Sequence, residues 1–136
     1  MANTSETVQQ LYARWKARDL ESVGVLLAED FCYVIQVPQD IHPLGGACHG
    51  RDMALARLGA ILDGFEIIEY AVGPLMIGGD HVATQPRAHY RDCATGEELE
   101  ITMAHFWTLR DGKAVRLIEY HDIDTVRDFV ARVANH

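Results

Sequence analysis

The sequence predicts an α+β fold, a curved antiparallel sheet wrapped on one face by amphipathic helices. Two observations carry this. Helical spacing of apolar residues is confined to segments before residue 64 and after residue 122, while residues 66–120 read as four strand-like stretches joined by short glycine-containing turns. Consecutive strands joined by turns pair antiparallel, and one-sided helices bury their apolar stripe against one face of the sheet. A curved sheet half covered in this way leaves a cone-shaped cavity, where a small-molecule site is most readily built.

Thr4 or Ser5 can cap a first helix, in which Val8, Leu11, Tyr12 and Trp15 follow at i, i+3, i+4 and i+7. A short second helix, about Leu20–Ala28, follows Asp19, with Val23, Leu26 and Leu27 inward. Phe31–Val37 is rich in β-branched and aromatic residues and reads as a strand. Pro38–Gly50 holds two prolines and three glycines without periodicity and reads as a loop. A third helix runs from Arg51 to Asp63, with Ala54, Leu58, Ile61 and Leu62 on one face and Gly64 just past its end. Strands are expected at Glu66–Ile77, His81–Arg91, Glu98–Leu109 and Ala114–Tyr120. The chain closes on a helix that repeats the one-sided spacing in Val126, Phe129, Val130 and Val133, with Asp122 placed to cap it.

The length suits one domain spanning residues 1–136, with a core that needs no staples. A net charge of −8 without a Lys/Arg cluster argues against a nucleic-acid partner, because phosphate binding needs concentrated positive charge. Three cysteines, none in a CxxC pair, argue against a disulfide framework and fit a reducing cytoplasm. The N-terminal run from Met1 to Glu6 lacks the basic and apolar regions of a signal peptide, and no apolar run is long enough to span a bilayer. The expected compartment is the cytoplasm, with no membrane partner. Cys48-His49 with His42 matches no strong ligand spacing, so no metal is expected.

The most informative residues are His105 and Glu119, on two strands joined at Arg110-Asp111-Gly112. A three-residue turn ending in glycine pairs Leu109 with Lys113, and sets His105 opposite Leu117 and diagonal to Glu119. Met103, His105, Trp107, Val115, Leu117, Glu119 and His121 then share one face. A two-residue turn at Asp111-Gly112 would instead put His105 and Glu119 on opposite faces. A carboxylate and an imidazole among large apolar side chains need either a hydrogen-bonded structural role or a chemical one. The apolar neighbours Leu117 and Met103 are expected to raise the basicity of Glu119. Its structural alternative is pairing with Arg87 or Arg116; for His105 it is donation to a backbone carbonyl. Arg87 and His89 alternate with Ala83, Gln85 and Arg91. If that face is inward, Arg87 can polarise a carbonyl; otherwise the five residues simply face water. Tyr12 and Trp15 read as core wall, while Tyr33 can present its hydroxyl to a ligand.

The element order and four local runs resemble the SnoaL-like branch of the nuclear-transport-factor-2-like superfold. The runs are Ala28-Glu29-Asp30-Phe31, Gly50-Arg51-Asp52, Arg110-Asp111-Gly112-Lys113 and Glu119-Tyr120-His121-Asp122. The resemblance implies a conical sheet with a pocket and a homodimer through the outer sheet face, where Ala104, Phe106, Arg116 and Ile118 form a partly apolar surface. It also implies that His105 and Glu119 fall where polyketide cyclases of this branch place a pocket histidine and an acid/base carboxylate. In limonene-epoxide-hydrolase-like members Glu119 corresponds to the water-activating Asp, Arg87 to an Arg, and Tyr33 to a Tyr that helps hold the water. His89 stands where that group has a second Asp and Ile35 where it has an Asn, which argues against its mechanism. Ile35 also occupies the position of the general base of ketosteroid isomerases.

Two functional expectations follow. The first is a cofactor-independent enzyme of cyclase, isomerase or hydrolase type, acting on a small apolar carbonyl- or epoxide-bearing molecule. Its catalytic residues would be Glu119, His105, Arg87 and His89, and its substrate contacts Tyr33, Ile35, Met103, Trp107, Leu117 and His121. The second is a non-catalytic ligand-binding or dimerisation module on the same scaffold.

Overall fold

A computed structural model describes residues 3–136; Met1 and Ala2, which open the N-terminal run considered above, lie outside the described residues. The elements run α1 (Thr4–Lys16), α2 (Leu20–Val25), β1 (Leu27–Gln36), β2 (Gly46–His49), α3 (Arg51–Gly64), β3 (Phe65–Val72), β4 (Met76–Gly78), β5 (His81–Thr84), β6 (Pro86–Asp92), β7 (Glu98–Thr102), β8 (Ala104–Arg110), β9 (Lys113–Tyr120) and α4 (Ile123–Ala134). This is the expected α+β architecture, a curved and unclosed sheet with four helices. None of the described helices is long and apolar enough to cross a membrane.

Local chemistry moves several boundaries. Asn3, rather than Thr4 or Ser5, caps α1, its side chain accepting from the Glu6 N–H at 2.8 Å. Asp19 caps α2 through the Ser22 N–H at 3.1 Å, but that helix ends at Val25 instead of Ala28, and β1 starts four residues before the expected Phe31. Gly64 is the last residue of α3, and Phe65 enters β3 directly. The stretch Pro38–Gly50 is not all loop: β2 pairs antiparallel with β1, Tyr33 lying opposite Cys48. Asp122 does cap α4, accepting from the Asp124 N–H at 3.1 Å.

The sheet differs from an antiparallel meander in two ways. First, β1 runs parallel to β9, so the central pairing is mixed. Second, each of the three long strands expected between residues 66 and 109 breaks in two, at Gly73-Pro74-Leu75, at Gln85 and at Met103. The halves divide between a six-stranded sheet, in the order β2-β1-β9-β8-β5-β4, and a three-stranded one, β3-β6-β7. Pro86 has no N–H to offer the ladder, so the crease runs through it. Its carbonyl accepts from the Met103 N–H at 2.8 Å and the Gln85 carbonyl from the Gly73 N–H at 3.2 Å, holding the halves together across the bend. α1, α3 and α4 cover the concave side, and the core lies between.

The β8–β9 hairpin is built differently from the expected form, with the same consequence. Asp111 and Gly112 both have positive φ, 53° and 76°, a two-residue turn of type I′ that pairs Arg110 with Lys113 and Leu109 with Ala114. Beyond it Thr108 pairs with Arg116, leaving Val115 as an extra residue in a bulge. The bulge shifts the register by one and sets His105 opposite Glu119, not opposite Leu117, with Trp107 taking Leu117. Ala114 rather than Val115 takes the fully buried position beside Leu109. Replacing Gly112 by Ala forces a side chain into a left-handed conformation, so Gly112→Ala is expected to lower stability by about 1–2 kcal/mol in urea denaturation. An unchanged midpoint would refute this reading of the turn.

Candidate active site

Three neighbouring strands place the site in one row of the sheet. Ile35 on β1 pairs with Glu119 on β9, which pairs with His105 on β8. The next row holds Tyr33, Leu117 and Trp107. All six point toward the concave side because alternate residues of a strand share a face. His105 and Glu119 are 3% and 7% exposed, so both are almost wholly out of water.

Glu119 is held on every side. Its Oε1 accepts from the Tyr33 hydroxyl at 3.0 Å and lies 2.9 Å from His105 Nε2; its Oε2 is 2.5 Å from His121 Nε2. The His105 contact is close in distance but poorly aligned as a hydrogen bond. Its attraction is electrostatic and survives the misalignment. Burial pushes the Glu119 carboxyl up, but His105 and His121 more than offset this and hold it well below the usual carboxylate range. The expectation that apolar neighbours raise it is thus reversed. Neither Arg87 nor Arg116 is its partner.

Behind His105 stands a second layer. Trp107 Nε1 donates to the Tyr12 hydroxyl oxygen at 2.9 Å, and that hydroxyl lies 2.7 Å from His105 Nδ1. Indole N–H can only donate, so the Tyr12 proton is left for Nδ1, and the proton of neutral His105 sits on Nε2, toward Glu119. Tyr12 is therefore more than the core wall it was expected to be. Burial foremost, reinforced by the charge of Glu119, raises Tyr12 and Tyr33, and both remain neutral phenols.

The site opens on a cavity of about 140 Å³, room for a ligand of roughly ten non-hydrogen atoms when scaled from the space one water needs. The six expected contact residues, Tyr33, Ile35, Met103, Trp107, Leu117 and His121, all line it. So do residues that sequence reasoning passed over, chiefly Tyr70, Tyr90 and His42. Alternation along β3 and β6 could have pointed to the two tyrosines. His42 could not have been found this way, since its loop has no periodicity. It had been considered only with Cys48 and His49, but His49 instead lies beside Cys32, at 3.7 Å from its sulfur.

Arg87 and His89 do not reach the cavity. On β6 it is Ala88 and Tyr90 that face inward, while Arg87 is exposed and His89 Nε2 contacts Glu98 at 2.8 Å on the outer surface. The charged members of that face are solvated beside acidic neighbours on β3 and β7, the ordinary outcome for a half-covered sheet.

The SnoaL-like domain pattern matches residues 8–117. No curated protein matches the chain by sequence. Among solved structures, the chain is similar to an assigned isomerase from Rhodopseudomonas palustris (TM-score 0.84, 20% identity, 97% of this chain and 98% of that one). It is also similar to an assigned SnoaL-like polyketide cyclase from Jannaschia sp. CCS1 (TM-score 0.80, 20% identity, 94% and 91%). A third is a protein of ketosteroid-isomerase-like fold from Catenulispora acidiphila, in complex with trimethylamine (TM-score 0.77, 19% identity, 95% and 95%). At these identities the likeness is one of fold.

Proposed function

Because this chain belongs to the SnoaL-like domain family, we propose that it is a cofactor-independent acid/base enzyme acting on a small apolar molecule in the cone cavity. The observation that carries this reading is an ionised carboxylate, Glu119, buried between two imidazoles at the wall of a mostly apolar cavity. Such a group costs much to bury and is retained where charge is used. Of the reactions open to this scaffold, proton transfer beside a carbonyl is favoured over epoxide opening. Ile35 is apolar and His89 faces outward, so the second polar pair that water activation needs is missing from the wall.

An experiment that needs no knowledge of the natural substrate tests the proposal. The protein is incubated in D₂O with cyclohexenone, cyclohexanedione or styrene oxide, and mass spectrometry reads deuterium gain or ring opening. Exchange above buffer for a carbonyl compound is the expected result. No reaction with any probe, together with saturable binding of one of them, would favour the binding-module alternative.

The reading includes a second copy of the chain as partner. Phe106 and Tyr120 stand 48% and 45% exposed on the outer sheet face, edge to face at 5.8 Å. With Ile118 they form an apolar surface suited to a homodimer. Sedimentation should give a dimer at micromolar concentration and a monomer for Phe106→Glu; a monomeric wild type rejects this face as the interface. Nucleic acid is not part of the proposal, given the charge of −8, nor is a membrane. Three free cysteines suit a cytoplasmic setting.

A further inference from the structure

Resting on that acid/base reading, we infer that the residue touching the reacting molecule is His121, opposed by His42, and that Glu119 and His105 act from behind it. Both ring nitrogens of His105 face protein atoms, Tyr12 at 2.7 Å and Glu119 at 2.9 Å. Both oxygens of Glu119 are hydrogen-bonded as well, Oε1 by Tyr33 and Oε2 by His121, with His105 close to Oε1 at 2.9 Å. A carboxylate so satisfied is a poor base. His121 differs: Nε2 is spent on Glu119, while Nδ1 is buried with no hydrogen-bond partner among the described residues, on a side chain that lines the cavity. Buried polar atoms are nearly always paired, so a bare nitrogen on a ring that lines the cavity is where a small turn of that ring would let a bound molecule supply the missing partner. With its proton on Nε2, held by Glu119, the free Nδ1 carries a lone pair.

His42 supplies the complement. Its Nδ1 accepts from the Leu44 N–H at 3.1 Å, which places its ring proton on Nε2. It lines the same cavity on the loop between β1 and β2, pinned by Arg57, which donates to the Leu44 carbonyl at 2.7 Å and the Gly45 carbonyl at 3.1 Å. Burial foremost lowers His42 from the ordinary imidazole value and favours its neutral ring. An acceptor and a neutral donor in one cavity fit an enolisable carbonyl compound. The C–H bond next to the carbonyl breaks, its proton goes to His121 Nδ1, and its electron pair forms the C=C bond. The carbonyl π pair moves to oxygen, where the His42 Nε2–H donates to it. The imidazolium of His121 is balanced by Glu119. Return of the proton to the same carbon gives exchange with solvent, and return to a conjugated carbon gives an isomer.

The test uses histidine ¹⁵N-labelled protein, in which long-range N–H correlations show which ring nitrogen carries a proton. His121 should show a protonated Nε2 and a bare Nδ1, and cyclohexanedione should shift His121 Nδ1 and His42 Nε2 while leaving His105 nearly unmoved. In the D₂O assay, His121→Asn should lower exchange at least a hundredfold and His42→Phe about tenfold. Two results overturn the inference: a His121 Nδ1 that ignores cyclohexanedione in the wild type, or wild-type exchange in a folded His121→Asn. A wild type that exchanges nothing defeats the acid/base reading instead, so the two fail separately.

Discussion

Glu119→Gln should lower the enzyme-dependent exchange of solvent deuterium into cyclohexanedione, above the buffer rate, by at least about a hundredfold, the usual scale for removing a group from a proton-transfer site. Gln keeps the shape but presents an N–H₂ where one carboxylate oxygen stood. Against His121 Nε2–H that is donor against donor, so His121 must change tautomer, and the imidazolium loses its counter-charge. Stability changes too. The folded-state carboxyl lies well below its ordinary value of 4.5, so its stabilising contribution is complete above that value and is lost as pH falls through the folded one. The variant should therefore be about 1–3 kcal/mol less stable near neutrality, with the gap narrowing on acidification below about pH 4. Urea denaturation across pH measures this. A gap that widens in acid would mean Glu119 is protonated in the folded protein, and turnover equal to wild type would end the catalytic reading.

Gly45→Ala should dislodge the loop that carries His42. A Cβ at Gly45 would stand 1.9 Å from the Val37 carbonyl oxygen and 2.8 Å from its carbon, both backbone atoms that no rotamer can move aside. The loop between β1 and β2 must shift, breaking some of the bonds that hold it, among them Gly45 N–H to His42 O at 3.0 Å and the two from Arg57. The expected loss is about 1–3 kcal/mol in stability with a fall in exchange as large as that of His42→Phe. Gly59→Ala is the control: its Cβ would meet only Leu20 at an ordinary 3.6 Å inside α3, so it should stabilise by about 0.5–1 kcal/mol. A Gly45→Ala protein as stable and active as wild type would show that the loop does not shape the site.

The site was legible where side-chain period is short and regular. On β8 and β9 the two-residue alternation places His105, Trp107, Leu117 and Glu119 on one face, and the hairpin signal at Asp111-Gly112 is strong. Yet the expected face came from a three-residue turn, whereas the chain uses a two-residue turn plus a bulge at Val115. The two constructions shift register by the same parity, which is why the face agreed while the partner did not. For Arg87 and His89, alternation offered two faces, and the resemblance placed them inward when the solvated option holds. A strand states its period but not which side will be covered.

Local sequence determined the kinds and order of elements, because propensity, capping and periodicity act over a few residues: the one-sided α1 and α4, the Asp19 and Asp122 caps, the strand alternation. Tertiary structure alone decided the parallel pairing of β1 with β9, the Tyr33 hydroxyl on Glu119 and the place of His42 on the cavity wall. These depend on contacts between residues as distant in sequence as Tyr33 and Glu119, which no local pattern encodes. The charge state of Glu119 turned on exact placement: its apolar neighbours in sequence predicted a raised carboxyl, and the folded positions of His105 at 2.9 Å and His121 at 2.5 Å lowered it.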